Sequence, residues 1–339
     1  MFEELDTLDK SKKYNIFIVR TPFQFINAYE TLDYFKTENN ILIIIDNGTE
    51  NNKKQLSELI EHNFWTTIMR FGDQKSSNFM NYVNLIHKIK KISVEYLFMS
   101  SGFNKMQQIL IANINSEKTC FFDQGTGTIL TYNYFKKNNI NKLNLKKLRF
   151  LFLGLKIKIN KQIDFFTMFD FEKLNKSNIY KNNYDFVKNK YNLNNKELKN
   201  EVFIIGQKLV KSKMVSQEEY FSYLNNILEN YKEYNINYLM HRTEDKDYLI
   251  NNNFDKKMNI LDSTKPGELY FLELDYQPKY IIGNVSALLI SLKYIFKDIN
   301  IISYKFNNAK FLNNEGYILS YDNMKKSGIK IVDNNYSKM

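Results

Sequence analysis

Ile16-Phe-Ile-Val-Arg-Thr-Pro-Phe-Gln24 changes from one backbone period to another within nine residues. Its apolar, β-branched and aromatic opening reads as a buried strand, and Thr21-Pro22 then starts a helix. Proline in a first helical turn pre-sets φ and gives up an amide that would be unpaired anyway, while the threonine hydroxyl can cap the amides that remain. A strand running straight into a helix is half of a βαβ unit, and the pattern repeats along the chain. Strands are expected at Asn15–Arg20, Ile41–Asp46, Thr66–Arg70, Glu95–Met99 and Thr119–Asp123, then in a second series at Val202–Gly206, Ile236–Met240, Met258–Leu261, Tyr280–Gly283 and Ile299–Ser303. Gln55–His62, Asn78–Ile89 and Ser216–Tyr231 carry apolar residues at three-to-four spacing, as helices covering such sheets do. The fold class expected is α/β with two Rossmann-like domains. Residues 1–155 form the first, 156–200 a helical linker with a helix near Tyr180–Tyr191, 201–315 the second, and 316–339 a polar tail. Ligands of such folds are expected in the cleft between the halves, at the carboxyl ends of the strands.

Length supports the division, because 339 residues exceed the ~250–300 at which one core stops growing. With 43% apolar and 15% aromatic residues against three prolines and eleven glycines, the chain has the material for packed domains and not for a low-complexity segment. A single cysteine, Cys120, forms no intrachain disulfide, and three histidines are too few for a Cys/His zinc cluster. The charged N-terminus lacks the apolar run of a signal peptide, and the uncharged stretch Tyr280–Leu292 is too short to cross a bilayer. A cytoplasmic protein in a reducing compartment is expected. The net charge of +11 favours anionic partners, such as an anionic ligand or membrane face. It is mostly lysine, with four arginines (Arg20, Arg70, Arg149, Arg242), so nucleic acid, which is read by guanidinium forks, is not expected as a partner.

Four strand ends carry candidate chemistry. Thr21, Pro22 and Gln24 project from the end of the first strand; a capped helix start is the commoner reading. In Phe121-Phe-Asp-Gln-Gly-Thr-Gly-Thr128 a carboxylate, Asp123, closes a buried strand, and Gly125, Thr126 and Gly127 let the backbone approach a substrate closely. This is no dinucleotide fingerprint, since a third glycine is missing, and by itself it reads as a turn. In Asn237-Tyr-Leu-Met-His-Arg-Thr-Glu244, His241 and Arg242 follow a strand, which makes His241 a better acid–base candidate than His62 or His87 on helical patterns. Asp245-Lys-Asp247 behind it reads as an acidic helix start rather than a metal site. In Tyr280-Ile-Ile-Gly-Asn-Val-Ser-Ala-Leu288, a buried strand breaks at Gly283 and Asn284 into a helix whose start carries Ser286 and Ala287, a cap that could also hold phosphate. Glu268 lies upstream, in a loop of the same half.

In this order the segments resemble the bacterial sialyltransferases of glycosyltransferase family 52, over most of the chain and at low identity. The matching pieces are Thr21 and Gln24, Asp123-Gln-Gly-Thr-Gly127, the turn Gly206-Gln207, His241-Arg242, Glu268 and Ser286-Ala287. The resemblance implies a glycosyltransferase B-type fold, a CMP-sialic acid donor, inversion at the anomeric carbon, no cofactor or obligatory metal, and a glycan or glycolipid acceptor. By resemblance His241 is the acid, Ser286 a phosphate ligand and Glu268 a nucleotide ligand, with Gly206, Gln207, Arg242, Gly283, Asn284 and Ala287 beside the donor. Two departures stand out. Gln124 replaces the second of an acidic pair, and Lys208, Lys211 and Lys213 occupy the turn where the family carries its base. The base assignment then passes to Asp123, with Glu218 and Glu219 as distant reserves, and the lysines could instead face an anionic acceptor. A peripheral contact with the anionic inner face of the membrane agrees with the charge. Homodimerisation agrees with the family, and no periodicity demands it. The rival readings are a related glycosyltransferase using another nucleotide sugar and a non-catalytic nucleotide- or glycan-binding protein of polysaccharide assembly.

Overall fold

The computed structural model describes residues 2–46, 48–72, 78–100, 105–137, 148–174, 177–241, 244–262, 264–296 and 298–334. The chain divides into two units, Met1–Phe186 and Val187–Met339.

The first unit holds a parallel sheet of β1 (Lys13–Val19), β2 (Asn40–Asp46), β3 (Thr67–Gly72), β4 (Ser93–Met99), β5 (Ser116–Phe122), β6 (Asp164–Thr167) and β7 (Ile179–Lys181), in the order β3-β2-β1-β4-β5-β6-β7. Helices cover both faces, so the central strands are apolar without alternation. Ile41 to Ile45 of β2 are wholly buried. Successive side chains nonetheless go to opposite faces. Ile41, Ile43 and Ile45 join one core cluster, and Leu42 and Ile44 the other. Each such side chain contributes about 1.5–3 kcal/mol. The second cluster is aromatic at its centre, where Phe17 stacks on Phe98 at 4.7 Å and meets the edge of Trp65 at 5.3 Å.

The second unit repeats the plan with β8 (Leu198–Ile205), β9 (Asn235–Leu239), β10 (Asn259–Leu261), β11 (Gln277–Gly283), β12 (Asn300–Lys305) and β13 (Lys330–Asp333), all parallel in the order β10-β9-β8-β11-β12-β13. In both sheets the strand order reverses beside the first strand, between β1 and β4 and between β8 and β11. These are the topological switch points at which α/β sheets leave room for ligands.

The ten strands expected from sequence are all present. The region 156–200 is not a helical linker: β6 and β7 extend the first sheet, and the helix in it is Asp185–Lys190. The tail 316–339 is likewise part of the second unit, whose helix Glu315–Lys326 leads into β13 on the sheet edge. β7 and β13 lie on sheet edges and β6 lies between β5 and β7, and all three have only three or four residues, too short for a period-2 pattern to stand out.

Candidate functional site

In the second unit, β8 ends at Ile205 and the chain turns through Gly206 and Gln207. Gln207 spans the switch point: its Nε2 donates to the Val285 carbonyl at 2.7 Å, and its Oε1 accepts from the Asn284 amide at 3.2 Å. Asn284 is fully buried and donates from Nδ2 to the Tyr304 carbonyl (2.7 Å) and the Tyr321 hydroxyl (2.8 Å). Gly206, Gln207, Gly283, Asn284 and Ser286 are thus gathered at one place. Ser286 caps the helix Ala287–Ile295, its hydroxyl accepting from the Leu288 amide at 3.2 Å. Glu268, in the first turn of the helix Gly267–Glu273, is buried and accepts from the Ser291 hydroxyl at 2.9 Å. Burial raises its carboxyl above the usual range. Its bond is to the helix behind Ser286.

One strand away, β9 delivers His241. The Glu244 amide donates to the His241 carbonyl at 2.8 Å, and the Glu244 side chain folds back to accept from the His241 amide at 2.7 Å. Both ends of the turn are therefore pinned. The other carboxylate oxygen, Oε1, accepts from the Tyr238 hydroxyl at 2.7 Å, and Tyr238 and Tyr220 share a hydroxyl contact of 2.7 Å. Desolvation pushes the Glu244 carboxyl up to about 7 against the pull of these hydrogen bonds. Gly206 makes this packing possible: a Cβ there would lie 2.2 Å from Glu244 Oε2 and 2.9 Å from both the His241 amide nitrogen and the Tyr238 hydroxyl. Beside the cluster lies a cavity of 330 Å³ lined by Gln207, Lys208, Lys211, Tyr220, Glu244 and Tyr248, among others. Two of the lysines that replace the expected base therefore face a cavity. The Tyr248 hydroxyl is buried with no hydrogen-bond partner. Arg242 lies outside the described residues. Asp245 caps the helix Lys246–Ile250 by accepting from the Asp247 amide.

In the first unit, Thr21 caps the helix Pro22–Phe35 by accepting from the Gln24 amide. Gln24 is buried, accepts from the Arg20 amide at 2.8 Å and reaches Gln124 at 3.5 Å, so two motifs 100 residues apart meet. Gly125 takes φ 85°, a left-handed value that favours glycine, and opens the helix Thr126–Lys136, which includes Gly127. Asp123 does not face outward. It is wholly buried, with Oδ1 accepting from the Thr167 hydroxyl and Oδ2 from the Met168 amide, both at 2.7 Å. Burial raises its carboxyl to about 6 although these bonds oppose the shift. Asp123 thus ties the end of β5 to the end of β6 beneath the glycine turn, a positioning contact that stands beside the base role expected from the sequence. Glu218 and Glu219 lie in the first turn of the helix Gln217–Asn230, where Glu219 completes a capping box with Ser216.

Sequence reasoning set a carboxylate beside His241 without giving Glu244 a role, and it missed the two tyrosines. The readable signal was a carboxylate three residues after the histidine, the spacing that lets a side chain close its own turn. Among the described residues no group of three His, Cys, Asp or Glu side chains is placed to hold a metal ion, and no helix is long and apolar enough to cross a membrane.

No protein-family model matches the chain, and no curated protein matches it in sequence. Solved structures do match in fold. One is an α/β-galactoside α-2,3-sialyltransferase from the luminous marine bacterium Photobacterium phosphoreum, 11% identical with a TM-score of 0.50 over 94% of this chain and 98% of that one. Another is the UDP-GlcNAc 2-epimerase from Methanocaldococcus jannaschii, 14% identical with a TM-score of 0.55 over 96% and 89%. The chain is thus of the glycosyltransferase B-type fold class, with two parallel-sheet α/β units.

Proposed function

We propose that this protein is an inverting sialyltransferase of the family 52 kind. It moves sialic acid from CMP-sialic acid to a galactose-type hydroxyl of a surface lipooligosaccharide or capsular glycan, at the cytoplasmic face of the membrane. The observation that supports it most is the His241–Glu244 turn, pinned at both ends beside the β8/β11 switch point. In this reading the acceptor hydroxyl oxygen bonds to the anomeric carbon and gives up its proton to water, while the bond between that carbon and the CMP phosphate breaks with its electron pair on the phosphate oxygen. His241 supplies a proton to that oxygen, and the amides at the start of the helix Ala287–Ile295 face the growing charge. Gln207 and Asn284 hold the loop that frames the phosphate, and Glu268 keeps the helix behind it in place through Ser291. Lys208 and Lys211 would meet an anionic acceptor in the adjoining cavity. None of these roles calls on a metal.

The test is release of CMP from CMP-sialic acid in the presence of a chelator, with and without a lactose-type acceptor, for wild type and His241→Ala. Acceptor-stimulated release that His241→Ala abolishes is the expected result. Turnover of a uridine diphosphate sugar instead would replace the donor. Tight CMP binding without turnover would make the protein a binding component.

A further inference from the structure

In the first unit, residues 148–159 are anchored in the core in a form that holds two apolar side chains away from the protein. Leu148–Leu151 is a short helix closed by a Schellman turn. The Leu155 amide donates to the Phe150 carbonyl at 3.0 Å, the Gly154 amide to the Leu151 carbonyl at 3.0 Å, and Gly154 takes φ 69°. Phe150, Leu155 and Ile159 are buried in the first core cluster, and the Phe150 ring lies 4.9 Å from that of Phe79. Anchored on both sides, the turn projects Leu151, 50% exposed, and Phe152, 91% exposed. No other large apolar side chain among the described residues exposes as much of its surface as Phe152.

The sequence flanking these two side chains carries charge of one sign. Residues 124–163 contain nine Lys and Arg and no Asp or Glu. Arg149 lies over the rings of Phe79 and Phe150, and Lys156 and Lys158 are exposed on the stretch that leaves the turn. Lys156 is fixed by its backbone, whose amide and carbonyl both bond the Asn113 side chain. We propose that Leu151 and Phe152, flanked by Arg149, Lys156 and Lys158, form a docking surface for an anionic lipid bilayer. The two apolar side chains enter the headgroup boundary and the cations meet lipid phosphates. Apolar insertion combined with basic flanks is the chemistry that holds peripheral proteins on anionic membranes. A second copy of the chain is disfavoured as the occupant, because a two-fold contact would set this positive surface against itself. The inference deepens the membrane location in the reading above and does not depend on the donor or the reaction.

The test is sedimentation of the full chain with phosphatidylcholine vesicles, with and without phosphatidylglycerol. Wild type is expected to partition onto the anionic vesicles alone and to be released by high salt. Phe152→Ser, and separately Lys156→Glu with Lys158→Glu, should each weaken partition by about tenfold or more. Phe152→Trp should show a blue-shifted emission on anionic vesicles beyond that of the buried Trp65. Failure of wild type to bind at low salt, or variants that bind as wild type does, would overturn the proposal. So would a concentration-dependent dimer that Phe152→Ser dissociates, which would assign the surface to a second copy.

Discussion

Glu244 lies against the bare α-carbon of Gly206, so that a single methyl on Gly206 would stand 2.2 Å from the carboxylate. The glycine is needed here for space rather than for an unusual backbone conformation. Gly206→Ala is therefore expected to push Glu244 out of its bonds to the His241 amide and Tyr238, and to cost about 1–3 kcal/mol as overpacking does. Urea unfolding and CMP release should both report the loss, and shortening the carboxylate in Gly206→Ala/Glu244→Ala should recover part of the stability. A Gly206→Ala protein as stable as wild type, with the same turnover, would show that the contact positions nothing.

The same carboxylate makes stability depend on pH. Glu244 titrates near 4.5 in an unfolded chain and at about 7 when folded, because burial disfavours its charge. The folded state thus holds the proton more tightly. The stabilisation this brings is complete below about pH 4.5 and is lost as pH rises through 7. Between pH 6 and 8 the second unit should lose about 1 kcal/mol, after allowance for the partly exposed side chain. Glu244→Gln, which resembles the protonated acid, should flatten that slope. Denaturation midpoints across this range decide the matter, and an unchanged slope in the variant would assign it to another group.

What was legible in the sequence follows from how each residue is satisfied. Isoleucine runs such as Ile41–Ile45 announce buried parallel strands by themselves, and strand-to-helix turns with Thr21-Pro22 or Ser286 announce their caps. β6, β7 and β13 were hidden because a strand of three or four residues is defined by its neighbours rather than by its own pattern. At the site, Gly206-Gln207 and His241 were readable as strand ends. The carboxylate three residues after His241 was readable too, but its direction was not, because a carboxylate that folds back on its own turn has the same local sequence as one that points to solvent. The partners of Asp123 were hidden for another reason. It looked poised at a strand end, but the strand that claims it, β6, lay in the region taken for a linker.

Asp123 accordingly should behave as a structural acid. Asp123→Ala leaves the Met168 amide and the Thr167 hydroxyl without their acceptor in a buried place, a loss of about 1–3 kcal/mol. Asp123→Asn keeps an acceptor and most of the shape, so it should recover most of the stability and retain turnover within about tenfold of wild type. Thermal melts and CMP release for the pair separate the roles. An Asp123→Asn protein with wild-type stability and no turnover would restore the residue to catalysis.

His241 should behave differently from every residue that supports it. Glu244 binds its backbone amide, which any replacement side chain leaves in place, so His241→Ala should fold with wild-type stability and bind CMP within about twofold of wild type. Loss of a proton donor to the departing phosphate is expected to lower kcat by about 10²–10⁴. A sialyl donor whose leaving group departs without protonation should narrow that gap, because the missing function is then not required. Calorimetric CMP binding together with kcat on both donors tests each part. Equal losses on the two donors, or loss of CMP binding, would mean that the imidazole holds the nucleotide instead of protonating it.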